Sequence, residues 1–188
     1  MKKLKRTASF LLAAAVALSL CACGASPAQE TPETTDTGTE TRTITDALGR
    51  EVTVPATVEK IIPLGNTPRM ISYLGLAEKV VGYSGMDPES VTPLVAYAYV
   101  NRELWADVPI VGTDSAGNTS YYPEQMILCE PDVIFCTATS GEADEIQSKT
   151  NIPVVAVSQG TLFGEDFEQS LRIIGEVCGV SDRAEEVI

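Results

Sequence analysis

A chain of 188 residues with 26 acidic and 13 basic side chains carries a formal charge of −13 at pH 7, a balance that repels nucleic acid and anionic lipid heads. Histidine is absent, which excludes a Ser-His-Asp triad, a Cys-His pair and a His-rich zinc site. No GxGxxG and no P-loop appears, so the nucleotide-binding enzymes that rely on them are not indicated.

Lys2, Lys3, Lys5 and Arg6 precede an uncharged run from Thr7 to Leu20, followed by Cys21-Ala22-Cys23-Gly24. The run holds about 14 residues, short of the roughly 20 a membrane-spanning helix needs, and its layout is that of an export signal. Leu20-Cys21-Ala22-Cys23 resembles a bacterial lipobox. Small Ala22 before Cys23 makes Cys23 the expected lipidated residue, whereas Leu20 disfavours Cys21. Residues 1–22 are then a signal peptide, and their removal takes four positive charges away, leaving −17. Residues 23–42 are rich in Thr, Glu, Pro and Gly and cannot offset the entropy of ordering. As a flexible coil they form a tether of roughly 25 Å.

The domain expected from Thr43 onward opens with a β-hairpin. Ile44-Thr45-Asp46 and Val52-Thr53-Val54 alternate at period two around Ala47-Leu48-Gly49-Arg50-Glu51, where Gly49 supplies a positive φ. Short apolar runs follow at Ile61–Leu64, Val80–Tyr83, Ile110-Val111, Val133–Cys136 and Val154–Val157. Consecutive apolar positions belong to strands covered on both faces. Between them, Thr67 as N-cap with Pro68 behind it starts a helix that Gly75 ends. Pro123 opens a helix through Glu130, and Gly141–Thr150 carries Ala143 and Ile146 on one face. In Gly164–Cys178 the residues Phe167, Leu171, Ile174 and Cys178 recur at helical spacing and face a core. Cys129, Cys136 and Cys178 read as small packing residues with no metal spacing, and Trp105 beside Leu104 as a packing residue in a short buried helix.

This order predicts an α/β fold: a doubly wound, mostly parallel sheet flanked by helices, with the N-terminal hairpin added. Ligands of such sheets bind outside the carboxyl ends of the strands. The loops expected there are Gly65–Arg69, Ser84–Asp87, Gly112–Ser120, Thr137–Gly141 and Ser158–Thr161. Arg69 is one of eight basic residues against 22 acidic ones from Thr43 on, so a cation at this edge suits an anionic chelate. Asn66 and Thr67 lie beside it. Tyr97, Tyr99, Asn101 and Arg102 follow the second strand and offer stacking faces, and Asn118, Thr119, Ser120 and Tyr121 fall on the same side by topology. Asp87 with Glu89, and Asp144 with Glu145, are paired carboxylates read as solvated faces.

Thr43-Ile44-Thr45-Asp46-Ala47-Leu48-Gly49-Arg50-Glu51-Val52-Thr53-Val54-Pro55 with Lys60-Ile61-Ile62, then Pro123-Glu124-Gln125-Met126-Ile127 through Glu130-Pro131-Asp132-Val133-Ile134, resemble a family in the right order. Thr150–Val155 and Leu171–Val177 through Glu186 continue it. The family is the substrate-binding lipoproteins of ABC importers for ferric siderophores, haem and cobalamin. The resemblance implies residues 43–180 as a first lobe and 181–188 as the start of an interlobe helix, with the second lobe outside this sequence. It implies an iron-chelate or corrinoid ligand, without a cofactor, and the strand-end topology gives Asn66, Thr67, Arg69, Tyr97, Tyr99, Arg102, Asn118 and Tyr121 as its candidate contacts. It implies an ABC permease as partner, engaged through Glu124, and a lipid-anchored place on the extracytoplasmic face of the cell membrane. Such a lobe alone binds ligand weakly or undetectably, because half a cleft covers less than the usual share of a ligand. The alternative is an enzyme on a doubly wound scaffold at the cell surface, for which no nucleophile with a base is in view.

Overall fold

The computed structural model describes residues 40–84, 91–115, 118–137 and 139–188. In chain order the elements are a hairpin of β1 (Thr41–Thr45) and β2 (Glu51–Pro55), strand β3 (Ile61–Pro63), helix α1 (Thr67–Tyr73), a 3-10 turn at Ala77–Lys79, and β4 (Tyr83–Ser84). Helix α2 (Ala96–Val100), strands β5 (Ile110–Ser115) and β6 (Asn118–Tyr121), and helix α3 (Pro123–Leu128) follow. The chain continues through β7 (Val133–Cys136), α4 (Ser140–Thr150), β8 (Val154–Ala156), α5 (Glu165–Cys178) and α6 (Ser181–Val187).

Strands β3, β7 and β8 pair in parallel in that order, and every residue in them is buried. Their side chains divide between two cores. Ile61, Val133, Phe135 and Val155 meet Met70 and Ile71 of α1, Leu74 at its C-cap, and Phe167, Leu171 and Ile174 of α5. Ile62, Ile134, Cys136, Val154 and Ala156 meet Met126 of α3 and Ala143 and Ile146 of α4. Helices therefore cover both faces, which is why the strand runs are apolar at consecutive positions.

A second sheet pairs β4 with β5 in parallel and β5 with β6 antiparallel. A single parallel bridge between Ile61 and Val80, reinforced by the Val81 amide donating to the Ile61 carbonyl at 3.0 Å, joins it to β3. From β3 the chain steps one way to β4 and β5, then returns to the other side of β3 for β7 and β8. The winding reverses between β3 and β7, the place where doubly wound sheets open a crevice at their carboxyl edge.

The hairpin alternates as its sequence requires, with Ile44, Val52 and Val54 buried and Thr43, Thr45 and Thr53 exposed. Gly49 takes φ 75° in its turn. Its first strand begins at Thr41, so Thr41 and Arg42, assigned to the tether by composition, pair instead with Pro55 and Val54. Arg42 also donates to the carbonyls of Glu176 and Val177, anchoring the strand on α5.

Several expectations are corrected. The Gly112–Ser120 stretch, expected as a rim loop, continues β5 and turns back as β6. Asn118-Thr119-Ser120-Tyr121 has no apolar run to announce a strand, and its ladder with β5 supplies the order. Of the second apolar run only Tyr83 enters a named strand, with Ser84 after it. Trp105 is buried, donating from Nε1 to the Ala77 carbonyl at 3.0 Å and lying 5.4 Å from the Tyr83 ring. Leu104 beside it is exposed, and the helix of this region is α2, upstream. Cys136 and Cys178 are buried and Cys129 is half-buried. Burial pushes the Cys178 thiol up to about 12 and raises that of Cys129.

Candidate functional site

Two hydroxyls hold the turn between β3 and α1. The Gly65 amide donates to Ser84 Oγ at 3.0 Å and the Asn66 amide to Thr137 Oγ1 at 3.3 Å, so side chains from the ends of β4 and β7 fix the backbone at the switch point. Asn66 is the N-cap residue of α1 and its side chain makes no capping bond. Thr67, expected as the cap and as a ligand contact, is instead the first helical residue and fully buried. Its hydroxyl donates to the Leu64 carbonyl at 2.9 Å, with the Phe135 carbonyl at 3.4 Å. Strand-end carbonyls claim this hydroxyl, so Thr67 is a structural pin.

Asn66 and Arg69 open onto a pocket of about 190 Å³, completed by Met70, Gln159, Gly160, Leu162 and Phe167. Two of the expected edge loops, after β3 and after β8, thus meet in one place. The β8 side is held by Ser170 on α5: its Oγ accepts from the Ser158 amide at 2.9 Å and lies 3.0 Å from the Ser158 carbonyl and 2.8 Å from that of Asp166. Gly160 has φ 49°, and a Cβ there would fall 2.8 Å from the Asp166 Cβ. Only glycine suits this bend.

Arg69 places its guanidinium carbon 5.6 Å from the Tyr97 ring centroid. Among the described residues, every other Lys or Arg forms an ion pair with a carboxylate, and Arg69 forms none. Asn101 of the same segment is structural: Nδ2 donates to Ser72 Oγ at 2.9 Å and to the Tyr97 carbonyl at 2.8 Å, tying α2 to α1.

The remaining expected contacts are not gathered here. Arg102 stacks over Tyr99 at 4.3 Å, donates to the Tyr99 carbonyl and pairs with Glu103, a self-contained cluster. Tyr121 lines a different pocket of about 220 Å³ with Pro123, Glu142, Glu145, Ile146 and Lys149. There Glu142 belongs to a capping box with Thr139, whose amide and then hydroxyl hold its carboxyl below the ordinary range. Asn118 lies in β6, and its side chain is outside the described residues, as are Cys23, the signal and most of the tether, and Asp87 and Glu89. Glu124 is the second residue of α3 and exposed. Asp144 accepts from Arg50 at 2.6 Å, while Glu145 pairs with Lys149.

Gln159 and Gly160 were visible in sequence only as part of a polar loop. Ser84, Thr137 and Ser170 carried no signal beyond a hydroxyl near an element's end. Their roles depend on which loops the sheet order brings together.

The family model described as "Periplasmic binding protein" matches residues 56–188. No curated protein matches the chain. Among solved structures, the molybdate periplasmic binding protein MolA of Haemophilus influenzae is 23% identical over 77% of this chain and 48% of its own, with a TM-score of 0.62. An ABC-type Fe3+-hydroxamate transport system from Saccharomonospora viridis is 26% identical, covering 77% of this chain and 51% of its own, at a TM-score of 0.56. Staphylococcus aureus SirA complexed with staphyloferrin B is 19% identical, covering 77% and 44%, at a TM-score of 0.56. The chain thus spans about half the length of these structures. With the family model covering most of the chain and the fold in agreement, the chain belongs to the periplasmic binding protein family.

Proposed function

We propose that this chain captures solute for an ABC importer of an iron complex or a corrinoid, on the outer side of the cell membrane. The observation that carries the reading is the pocket of Asn66, Arg69, Gln159 and Gly160 at the switch point of a doubly wound sheet. Family membership agrees with it, as do the iron-complex transport proteins among the structural neighbours. At about 190 Å³ the pocket is smaller than ordinary ligand sites of roughly 300 Å³ and above. It is one wall of a cleft, and α6 is read as the first turns of the helix leading to the other. Residues 1–22 act as the export signal, Cys23 carries the lipid, and the segment before Thr41 is the tether. Glu124, exposed at the start of α3, engages a basic residue of the permease.

The test is nutrient uptake by cells lacking the gene, supplied with labelled ferric siderophores, haem or cobalamin. Loss of uptake of one of these classes, restored by the wild-type gene and reduced with Cys23→Ala or Glu124→Ala, is the expected result. Undiminished uptake of all three overturns the reading. Recovery of chemically altered solute after incubation with the protein would favour the enzyme alternative.

A further inference from the structure

Resting on that reading, we infer that the pocket takes a carboxylate-bearing arm of the solute, with Arg69 as its counter-ion and Tyr97 as the residue that positions Arg69. Acidic side chains outnumber basic ones by two to one in this chain, so an arginine within reach of a carboxylate would ordinarily be paired. Arg69 is half-buried, yet its one described partner is the face of Tyr97. A ring face engages the guanidinium plane by cation–π attraction and leaves its edge donors unspent. That planar fork matches a carboxylate through two parallel N–H···O bonds.

The rest of the lining agrees. Asn66 and Gln159 bring neutral amides to the same pocket, suited to the remaining lone pairs of an oxygen ligand, and neither repels an anion. Met70, Leu162 and Phe167 supply an apolar floor. A heavily hydrated inorganic phosphate has nothing to place against that floor, whereas a carboxylate on a hydrocarbon arm has. The volume, about 190 Å³, admits an arm and not a whole chelate. Tyr97 is itself packed against the main core, so it acts as a fixed shelf for Arg69 rather than as a stacking face for the solute.

The experiment is two-dimensional 15N NMR of the full chain titrated with citrate, with inorganic phosphate, acetohydroxamate and catechol as comparison probes. Citrate is expected to shift the Arg69 Nε–H, the Gly160 amide and the side-chain amides of Asn66 and Gln159, and to do so more weakly in high salt. Arg69→Gln should weaken citrate binding about tenfold, the loss of one charge-assisted contact. Arg69→Lys should recover part of it, and Tyr97→Leu should weaken binding several-fold while the Arg69 Nε–H loses its ring-current shift. Unchanged spectra identify variants that remain folded, so a misfolded variant is not mistaken for a result. Citrate that moves none of these resonances, or binds Arg69→Gln as well as wild type, overturns the inference. Tighter binding of phosphate, acetohydroxamate or catechol at the same resonances also overturns it, while leaving the importer reading intact. That reading fails separately, on the uptake assay.

Discussion

Two arginines near strand β8 live in opposite circumstances. Arg50, in the hairpin turn, donates from Nε and Nη2 to Asp46 at 2.9 and 2.7 Å, to Asp144 at 2.6 Å and to the Val154 carbonyl at 2.8 Å. Asp46 is buried and accepts besides from the amides of Leu48, Arg50 and Ala156. Burial lowers the Arg50 pKa, but the bonds and charges of Asp46 and Asp144 more than offset this and hold it above its ordinary value. Together with the Ala47 amide, which donates to Ala156, this clamp occupies the open edge of β8 and blunts it against pairing with another strand. Arg69 stands over a ring, beside a pocket, with no carboxylate partner among the described residues. A saturated cation stabilises a fold; one left unsaturated amid excess acid is available to a solute.

The contrast is broken most directly by Asp46→Ala, which removes the buried carboxylate from Arg50, leaving it Asp144 and the Val154 carbonyl, and takes the acceptor from three amides, and which should cost about 3–5 kcal/mol in urea unfolding. Arg69→Ala should stay within about 0.5 kcal/mol. Equal costs would erase the distinction. Ser170→Ala tests how the pocket's second loop is held: the part-buried Ser158 amide loses its acceptor, at about 1 kcal/mol or somewhat more, with Gly160 amide exchange quickened. A loss confined to helix stability, with the loop unmoved, would show that the loop is held elsewhere. Smaller is Thr139→Ala, about 1 kcal/mol for the cap of α4. Glu142's share of that cap has a defined sign. Its folded pKa is depressed, so its contribution is present above the ordinary glutamate value of 4.5 and is lost as pH falls through the folded value.

At neutral pH the smallest effect comes from Cys178. Its folded pKa is raised to about 12 from an ordinary 9.0, so its contribution is intact below 9.0 and declines as pH rises toward about 12. Comparing alkaline unfolding of wild type and Cys178→Val isolates this slope. Identical slopes would mean that the thiol is not shielded by burial.

The core was legible because its physics is local. Val133–Cys136 and Val154–Val157 are apolar at consecutive positions since helices cover both faces, and the stripe of Phe167, Leu171 and Ile174 announces α5 at helical period. The polar Asn118-Thr119-Ser120-Tyr121 strand was not, because β5 supplies its order. Asn66 and Arg69, expected at the edge from their place after β3, line one pocket. The role of Thr67 is not legible, because a Thr-Pro pair looks the same whether the hydroxyl caps a helix or returns to strand carbonyls. Tyr99, Arg102 and Tyr121 also follow strands, yet Arg102 folds back on Tyr99 and Tyr121 lies against α4 residues. Loop partnerships depend on sheet order, which no short stretch encodes.

The most direct measurement is thermal unfolding of the full chain and of Arg69→Gln, each with and without ferric citrate. The account predicts equal melting temperatures without solute and a rise with ferric citrate in the wild type alone. A rise of the same size in both, or a variant already unstable without solute, would contradict the assignment of Arg69 to the ligand rather than to the fold.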